Sequence, residues 1–259
     1  MKRCRWMICA VLAVALCPLV GEAGNFKVVP IKVYFENDQK VQTLTLRNDS
    51  DSDVTLQFEA MEWMQDSAGK DLYEPTKSLF IFPGIATIKA GGEKHIKLGY
   101  QGPPVTVQER TYRVYMTELP VQKPGEATLQ MAMRLGVPVF VVPKKGKPEI
   151  EIERATMANE SLDVQVTNPG NRHVYVRTIE VAGLDVSDRE VFLQEASGWY
   201  VLPGVHRMFS VPLPKDSCAE AKKMRVIVKF ANQDVDQTPL SLSGANQGRP
   251  CQMNVLTAR

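Results

Sequence analysis

Residues Leu129–Pro143 read LQMAMRLGVPVFVVP. In the first half, Leu129, Met131, Met133 and Leu135 share one parity, and Gln130, Ala132 and Arg134 share the other. That is the period-2 signature of a β-strand. The apolar side is long, flexible and unbranched, whereas a strand buried in its own core is usually rich in Val and Ile. Alternation alone favours burial in the chain's own core. The side-chain types raise the other option, a core in a different polypeptide.

The rest of the chain reads as β in the same way. Phe26–Phe35, Val41–Arg47 and Val54–Trp63 are expected strands, with a run of turn formers at Asn48–Asp53 between the second and third. Ile85–Ile88 and His95–Tyr100 flank the hairpin signal Ala90-Gly91-Gly92-Glu93, and Thr111–Leu119 puts Tyr112, Val114 and Met116 on one face. Further strands are expected at Glu149–Arg154, Ser161–Thr167, His173–Val181, Val191–Phe192, Trp199–Leu202, Arg207–Val211 and Met224–Phe230, with one helical turn at Ser217–Lys223. Short strands punctuated by Gly, Pro, Asn and Asp predict an all-β protein of two β-sandwiches. The proline-bracketed segment 143–148 is the expected linker, which gives domains at 24–142 and 149–259.

Ahead of the first strand stands a targeting segment. MKRCR is basic, Trp6–Val20 is apolar, and Gly21-Glu22-Ala23 offers small residues at the cleavage positions, so residues 1–23 read as a cleaved secretory signal. Leu16 before Cys17 argues against a lipoprotein signal. Removing Lys2, Arg3, Arg5 and Glu22 takes 31 basic residues to 28 and 29 acidic residues to 28. A near-neutral mature chain gives no support to a nucleic-acid partner. Cys4, Cys9 and Cys17 leave with the signal. Cys218 and Cys251 remain, an even pair bound for an oxidising compartment, and are expected to form a disulfide.

No catalytic or cofactor motif is present. His95, His173 and His206 have no Cys, His or carboxylate at metal-ligand spacing and read as ordinary strand or turn residues. There is no C-x-x-C, G-x-S-x-G, H-E-x-x-H or P-loop pattern. The expectation is a protein that is not an enzyme and holds no metal or cofactor.

Four blocks resemble the PapD-like periplasmic chaperones of the chaperone–usher pathway. In order they are TLTLRNDS (Thr43–Ser50), SLFIFPGIATIKAGGEKHIKLGY (Ser78–Tyr100), ERTYRVYMTELP (Glu109–Pro120) and LQMAMRLGVPVF (Leu129–Phe140). The resemblance covers nearly all of Phe26–Pro143. In the second domain, VTNPGNRHVYV (Val166–Val176) is similar only in general form.

The resemblance implies two immunoglobulin-like domains with a cleft between them, and periplasmic work in pilus assembly. Such a chaperone lends its G strand to a pilus subunit that lacks its last strand, and then delivers the subunit to an outer-membrane usher. Leu129, Met131, Met133 and Leu135 would then be donated residues. Methionine suits that task, because it adapts to irregular gaps in several related subunits. The exposed edge of that strand would also allow self-association through a second copy.

The family fixes the subunit's C-terminal carboxylate with an Arg on the first strand and a Lys on the G strand. Here the first-strand position falls on Lys32, and the G-strand position falls on Pro138, which carries no charge. The expected anchors are therefore Arg113 and Arg134, then Lys32, since Arg has the bidentate geometry for a carboxylate. The departure implies a divergent branch of archaic or alternative type. A competing reading is a secreted two-domain surface or adhesive subunit. Against it, GNFKVVPIKVYF runs almost directly from the cleavage site into a strand, leaving no donor peptide.

Overall fold

A computed structural model of the chain describes residues 26–36, 39–119, 132–158, 160–232, 235–236, 240–245 and 256–257. The elements in order are β1 (Phe26–Val29), β2 (Val33–Phe35), β3 (Val41–Asn48), β4 (Val54–Gln65), β5 (Asp71–Pro75), β6 (Leu79–Phe82), β7 (Ile85–Ile88), β8 (Glu93–Tyr100), β9 (Arg110–Glu118) and β10 (Arg134–Val141). They continue with β11 (Glu151–Ala158), β12 (Ser161–Thr167), β13 (Val174–Leu184), β14 (Glu190–Ser197), β15 (Tyr200–Val201), β16 (His206–Pro212), α1 (Lys215–Glu220), β17 (Lys223–Asn232), β18 (Val235–Asp236), β19 (Leu240–Ala245) and β20 (Leu256–Thr257).

The first ten strands make one sandwich. One sheet runs β1-β3-β8-β6; the other runs β2-β10-β9-β4-β5, with β7 also on β4. Alternate residues of the two sheets meet in a core that includes Leu44, Leu46, Ile96 and Leu98 from one and Leu56, Tyr112, Val114 and Met116 from the other, all at most 1% exposed. Each such side chain stabilises the fold by about 1.5–3 kcal/mol relative to exposure. The second sandwich pairs β16-β12-β11-β20 with β14-β13-β17-β18, and has its own core around Leu162, Val164, Val176, Ile179, Val226 and Val228.

The expected first strand, Phe26–Phe35, is two strands. Pro30 has no N–H to continue a ladder, and the chain changes sheets there. β1 pairs antiparallel with β3, and β2 pairs parallel with β10. The expected helical turn also shifts: it begins at Lys215 directly after Pro214 and stops at Glu220, where Ala221 is extended.

Both sandwiches use an asparagine to close the turn after an inner strand. Asn48 Oδ1 accepts from Ser50 N at 3.1 Å, while its Nδ2 donates to Ser52 O at 2.7 Å. Asn168 Oδ1 accepts from Gly170 N at 3.0 Å, while its Nδ2 donates to Arg172 O at 2.7 Å. Both side chains are buried, so the internal partners replace water for amide groups that would otherwise be costly to bury.

The sandwiches meet at an aromatic junction. Trp63 and Phe140 of the first pack with Tyr200 and Leu202 of the second, flanked by Tyr34, Tyr73, Tyr175 and Trp199. Polar groups align the contact. Gln65 Nε2 donates to Tyr200 O at 2.9 Å, and Leu202 N donates to Gln65 Oε1 at 2.9 Å.

Candidate functional site

The site is built around β10. On one side β10 pairs antiparallel with β9 along its whole length, Arg134↔Thr117 through Val141↔Arg110. On the other side β2 covers only Val139–Val141. Among the described residues, Arg134–Pro138 therefore has one edge with no strand partner. Unpaired strand edges of this kind template the addition of another strand.

The side chains of β10 change role along that strand. Val137, Val139 and Val141 are buried in the first core, at 3%, 0% and 6% exposure. Leu135 and Met133 have the same parity, yet each is 38% exposed. The domain's own core thus ends between Leu135 and Val137, and the same face continues outward as apolar surface. Leu129 and Met131 lie outside the described residues.

The opposite parity of β10 faces the second sandwich. Phe140 stacks on His173, with ring centroids 3.6 Å apart and planes 13° apart. Pro138 has a cation beside it on either side, one on β9 and one just before β2. Arg113 is its direct partner on β9. Lys32 stands one residue before Val33, whose parallel partner is Val139, which brings Lys32 level with Pro138.

Arg113 sits among rings from both sandwiches, and Lys32 lies over rings of the second. The Arg113 guanidinium carbon is 4.5 Å from the Trp63 ring centroid, 5.6 Å from Trp199 and 5.7 Å from Tyr73. Lys32 Nζ is 5.2 Å from the Tyr175 centroid and 5.9 Å from Tyr200. A ring face holds the Arg113 guanidinium while leaving its in-plane donors available for an oxyanion. Arg113 has no carboxylate within ion-pair distance among the described residues, and its Nε is buried without a hydrogen-bond partner.

Gly136 makes room for this arrangement. A Cβ there would meet Tyr115 Cε1 at 2.9 Å and Arg113 Cδ at 3.0 Å, so the missing side chain lets Arg113 lie close against β10.

Arg134 is set apart from the other two cations. It pairs with Thr117, four residues or about 13 Å along the ladder from Arg113. Its guanidinium carbon is 4.1 Å from the Tyr115 ring centroid, and its Nη2 is 3.4 Å from Glu59 Oε2 on an exposed surface.

Burial at the junction raises the Tyr73 phenol well above the usual tyrosine range. Cys218 is buried and disulfide-bonded, while Cys251 lies outside the described residues. Among the described residues no group of three His, Cys, Asp or Glu side chains is placed to hold a metal ion.

Three junction residues were not legible as site residues. His173 and Glu109 are both buried and bonded to each other across the two sandwiches, with Glu109 Oε1 2.7 Å from His173 Nδ1. Asp71, on β5, accepts from the indoles of Trp63 and Trp199. Their partners in the other sandwich are distant in sequence, so no local pattern announces them.

Residues 25–147 match the family model described as pili and flagellar-assembly chaperone, PapD N-terminal domain. No curated protein sequence matches the chain. Among solved structures, the chain is similar to one from the CsuC–CsuE chaperone–tip adhesion subunit pre-assembly complex of the archaic chaperone-usher Csu pili of Acinetobacter baumannii. That likeness has a TM-score of 0.62 and 19% identity, covering 83% of this chain and 97% of that one. The YadV chaperone gives a TM-score of 0.58 and 16% identity, covering 85% and 99%. A chain from the Salmonella enterica SafA pilin–SafB chaperone complex gives 0.53 and 14%, covering 85% and 97%. These likenesses show a shared two-domain immunoglobulin-like fold.

Proposed function

We propose that this chain, whose residues 25–147 belong to the PapD N-terminal family of pili and flagellar-assembly chaperones, is a periplasmic chaperone that holds pilus subunits by lending them a strand. The observation that carries this reading is the free edge of β10, with Met133 and Leu135 exposed beside it and Pro138 flanked by Arg113 and Lys32.

A subunit that lacks its last strand exposes an apolar groove and unpaired backbone amides. Donation of residues 129–135 satisfies the amides and fills the groove with Leu129, Met131, Met133 and Leu135. Each fully buried side chain contributes roughly 1.5–3 kcal/mol before ordering costs. The subunit's terminal carboxylate meets Arg113, with Lys32 on the far side of Pro138 as the second cation. Arg134 serves the outer end of the strand. The loaded chaperone then delivers its subunit to an outer-membrane usher. Residues 1–23 direct export, and in the oxidising periplasm Cys218 pairs with Cys251.

The test is a tagged pull-down from the periplasm with the native operon expressed, read by mass spectrometry. A small secreted subunit recovered one-to-one, and lost when Met131 and Met133 are both changed to Asp, is the expected result. Recovery of the chain alone, or as a polymer of itself, overturns the chaperone reading in favour of a surface subunit.

A further inference from the structure

One carboxylate holds both walls of the Arg113 site. Trp63 Nε1, from the first sandwich, donates to Asp71 Oδ1 at 3.0 Å, and Trp199 Nε1, from the second, donates to Asp71 Oδ2 at 2.7 Å. Gln65 Nε2 donates to Oδ1 at 2.9 Å, and Arg207 Nη1 stands 3.6 Å from Oδ1. Gln65 is also the residue that bonds to Tyr200 and Leu202. The Asp71 side chain is 16% exposed, so these bonds face little competition from water.

The two indoles it holds are the ones nearest Arg113. The chain has three tryptophans, and the third, Trp6, lies in the leading segment. Asp71 thus ties a ring from each sandwich to one carboxylate, and the guanidinium lies 4.5 Å and 5.6 Å from their centroids. An indole N–H is a donor with no acceptor role, so each ring orientation here depends on a carboxylate oxygen. A neutral amide at position 71 has one accepting oxygen and leaves one indole without an acceptor.

We propose that Asp71 is a positioning residue for the carboxylate anchor: it aligns Trp63 and Trp199 across the domain junction so that Arg113 presents its donors to the terminal carboxylate of a bound subunit. This rests on the anchor reading above. Asp71 touches the ring walls and not the carboxylate, so its effect is on anchor selectivity and not on the donated strand.

The experiment uses the exported full chain co-expressed with a subunit of its operon, in two forms: one ending natively and one with a short C-terminal extension that removes the terminal carboxylate from its place. The readout is the ratio of native to extended subunit recovered. Wild type is expected to favour the native form by at least about tenfold, the factor for a charge-assisted hydrogen bond. Asp71→Asn and Arg113→Ala should each bring the ratio to about one, and in Asp71→Asn the indole N–H resonances of Trp63 and Trp199 should both move.

A wild-type ratio in Asp71→Asn, or unmoved indole resonances, overturns the positioning role. A ratio unchanged in Arg113→Ala, or already near one in wild type, overturns the anchor itself. If Asp71→Asn fails to accumulate, Trp199→Phe removes one donor and leaves Asp71 on Trp63. It should lower the ratio part of the way, and an unchanged ratio again overturns the proposal.

Discussion

Glu109 Oε1 lies 2.7 Å from His173 Nδ1 and also accepts from His173 N at 2.9 Å, with side-chain exposures of 0% and 1%. The pair joins the start of the β9 region to the second sandwich. Glu109 N also donates to Asn171 O at 3.0 Å, and Arg172 Nε is 3.9 Å from Glu109 Oε2. His173→Ala removes the side-chain hydrogen bond to Glu109 Oε1, leaving that buried carboxylate the backbone N–H of position 173 and the longer contact with Arg172, and removes the ring stacked on Phe140. The expected loss is about 1.5–3 kcal/mol for the hydrogen bond to a charged group, with the lost ring packing added to it. Urea unfolding followed by circular dichroism measures it. A loss below about 1 kcal/mol would show that the junction relaxes around the vacated ring.

Leu135 and Val137 share a face of β10 but differ in exposure, 38% against 3%. Leu135→Asp should change stability by no more than about 0.5 kcal/mol, as for a surface site. Val137→Asp places a carboxylate in the first core, and should prevent folding or leave a chain that melts far lower. Thermal melts of both variants check this. Equal damage from the two would mean that Leu135 also serves the first core, and would remove it from the donated set.

How far the sequence alone could reach is clear from particular strands. β4 and β9 were legible because one face of each is core, so Leu56 and Phe58, or Tyr112, Val114 and Met116, alternate cleanly. β5 and β6 were not. Leu72, Phe80 and Phe82 are exposed apolar residues that blur the period, and pairing with β4 and β8 is what makes these segments strands. In the candidate site, Lys32 was named from the first-strand position of the family resemblance and Arg113 as a nearby basic residue on the neighbouring strand. The roles of Trp199, Tyr175 and Tyr200 were not, because they come from the other sandwich. Residues 120–131, which include Leu129 and Met131, lie outside the described residues.

Arg113→Ala should reduce subunit recovery more than Arg134→Ala does. Arg113 faces Pro138 among rings and has no carboxylate partner among the described residues, whereas Arg134 is already beside Glu59. Gly136→Val should act in the same direction as Arg113→Ala, since any side chain there meets Arg113 Cδ and Tyr115. Removing the guanidinium from its ring contacts costs the free protein about 0.5–2 kcal/mol. Recovery from the periplasm beside melts of the purified variants separates capture from stability. If Arg134→Ala has the larger effect, the carboxylate sits at the outer end of β10.

The turn Asp66–Lys70 gives an acid dependence with a definite sign. Asp66 Oδ1 accepts from Lys70 N at 2.9 Å and from Ala68 N at 2.8 Å, and these bonds, Lys70 first, hold its carboxyl below the ordinary value of 3.8. A carboxyl lowered in the folded state stabilises the fold fully above its unfolded pKa. That contribution is lost as pH falls through the folded pKa. The same turn carries Gly69, whose carbonyl accepts from Arg207 Nη1 of the second sandwich at 2.6 Å. Asp66→Asn keeps an accepting oxygen and removes the charge. Its melting temperature should lie below wild type at neutral pH, and the gap should narrow as pH drops below about 4 and the wild-type carboxyl protonates. Melts across that range, at constant salt, check it. A gap that stays the same down to strong acid would mean that the turn depends on the shape of the side chain and not on its charge.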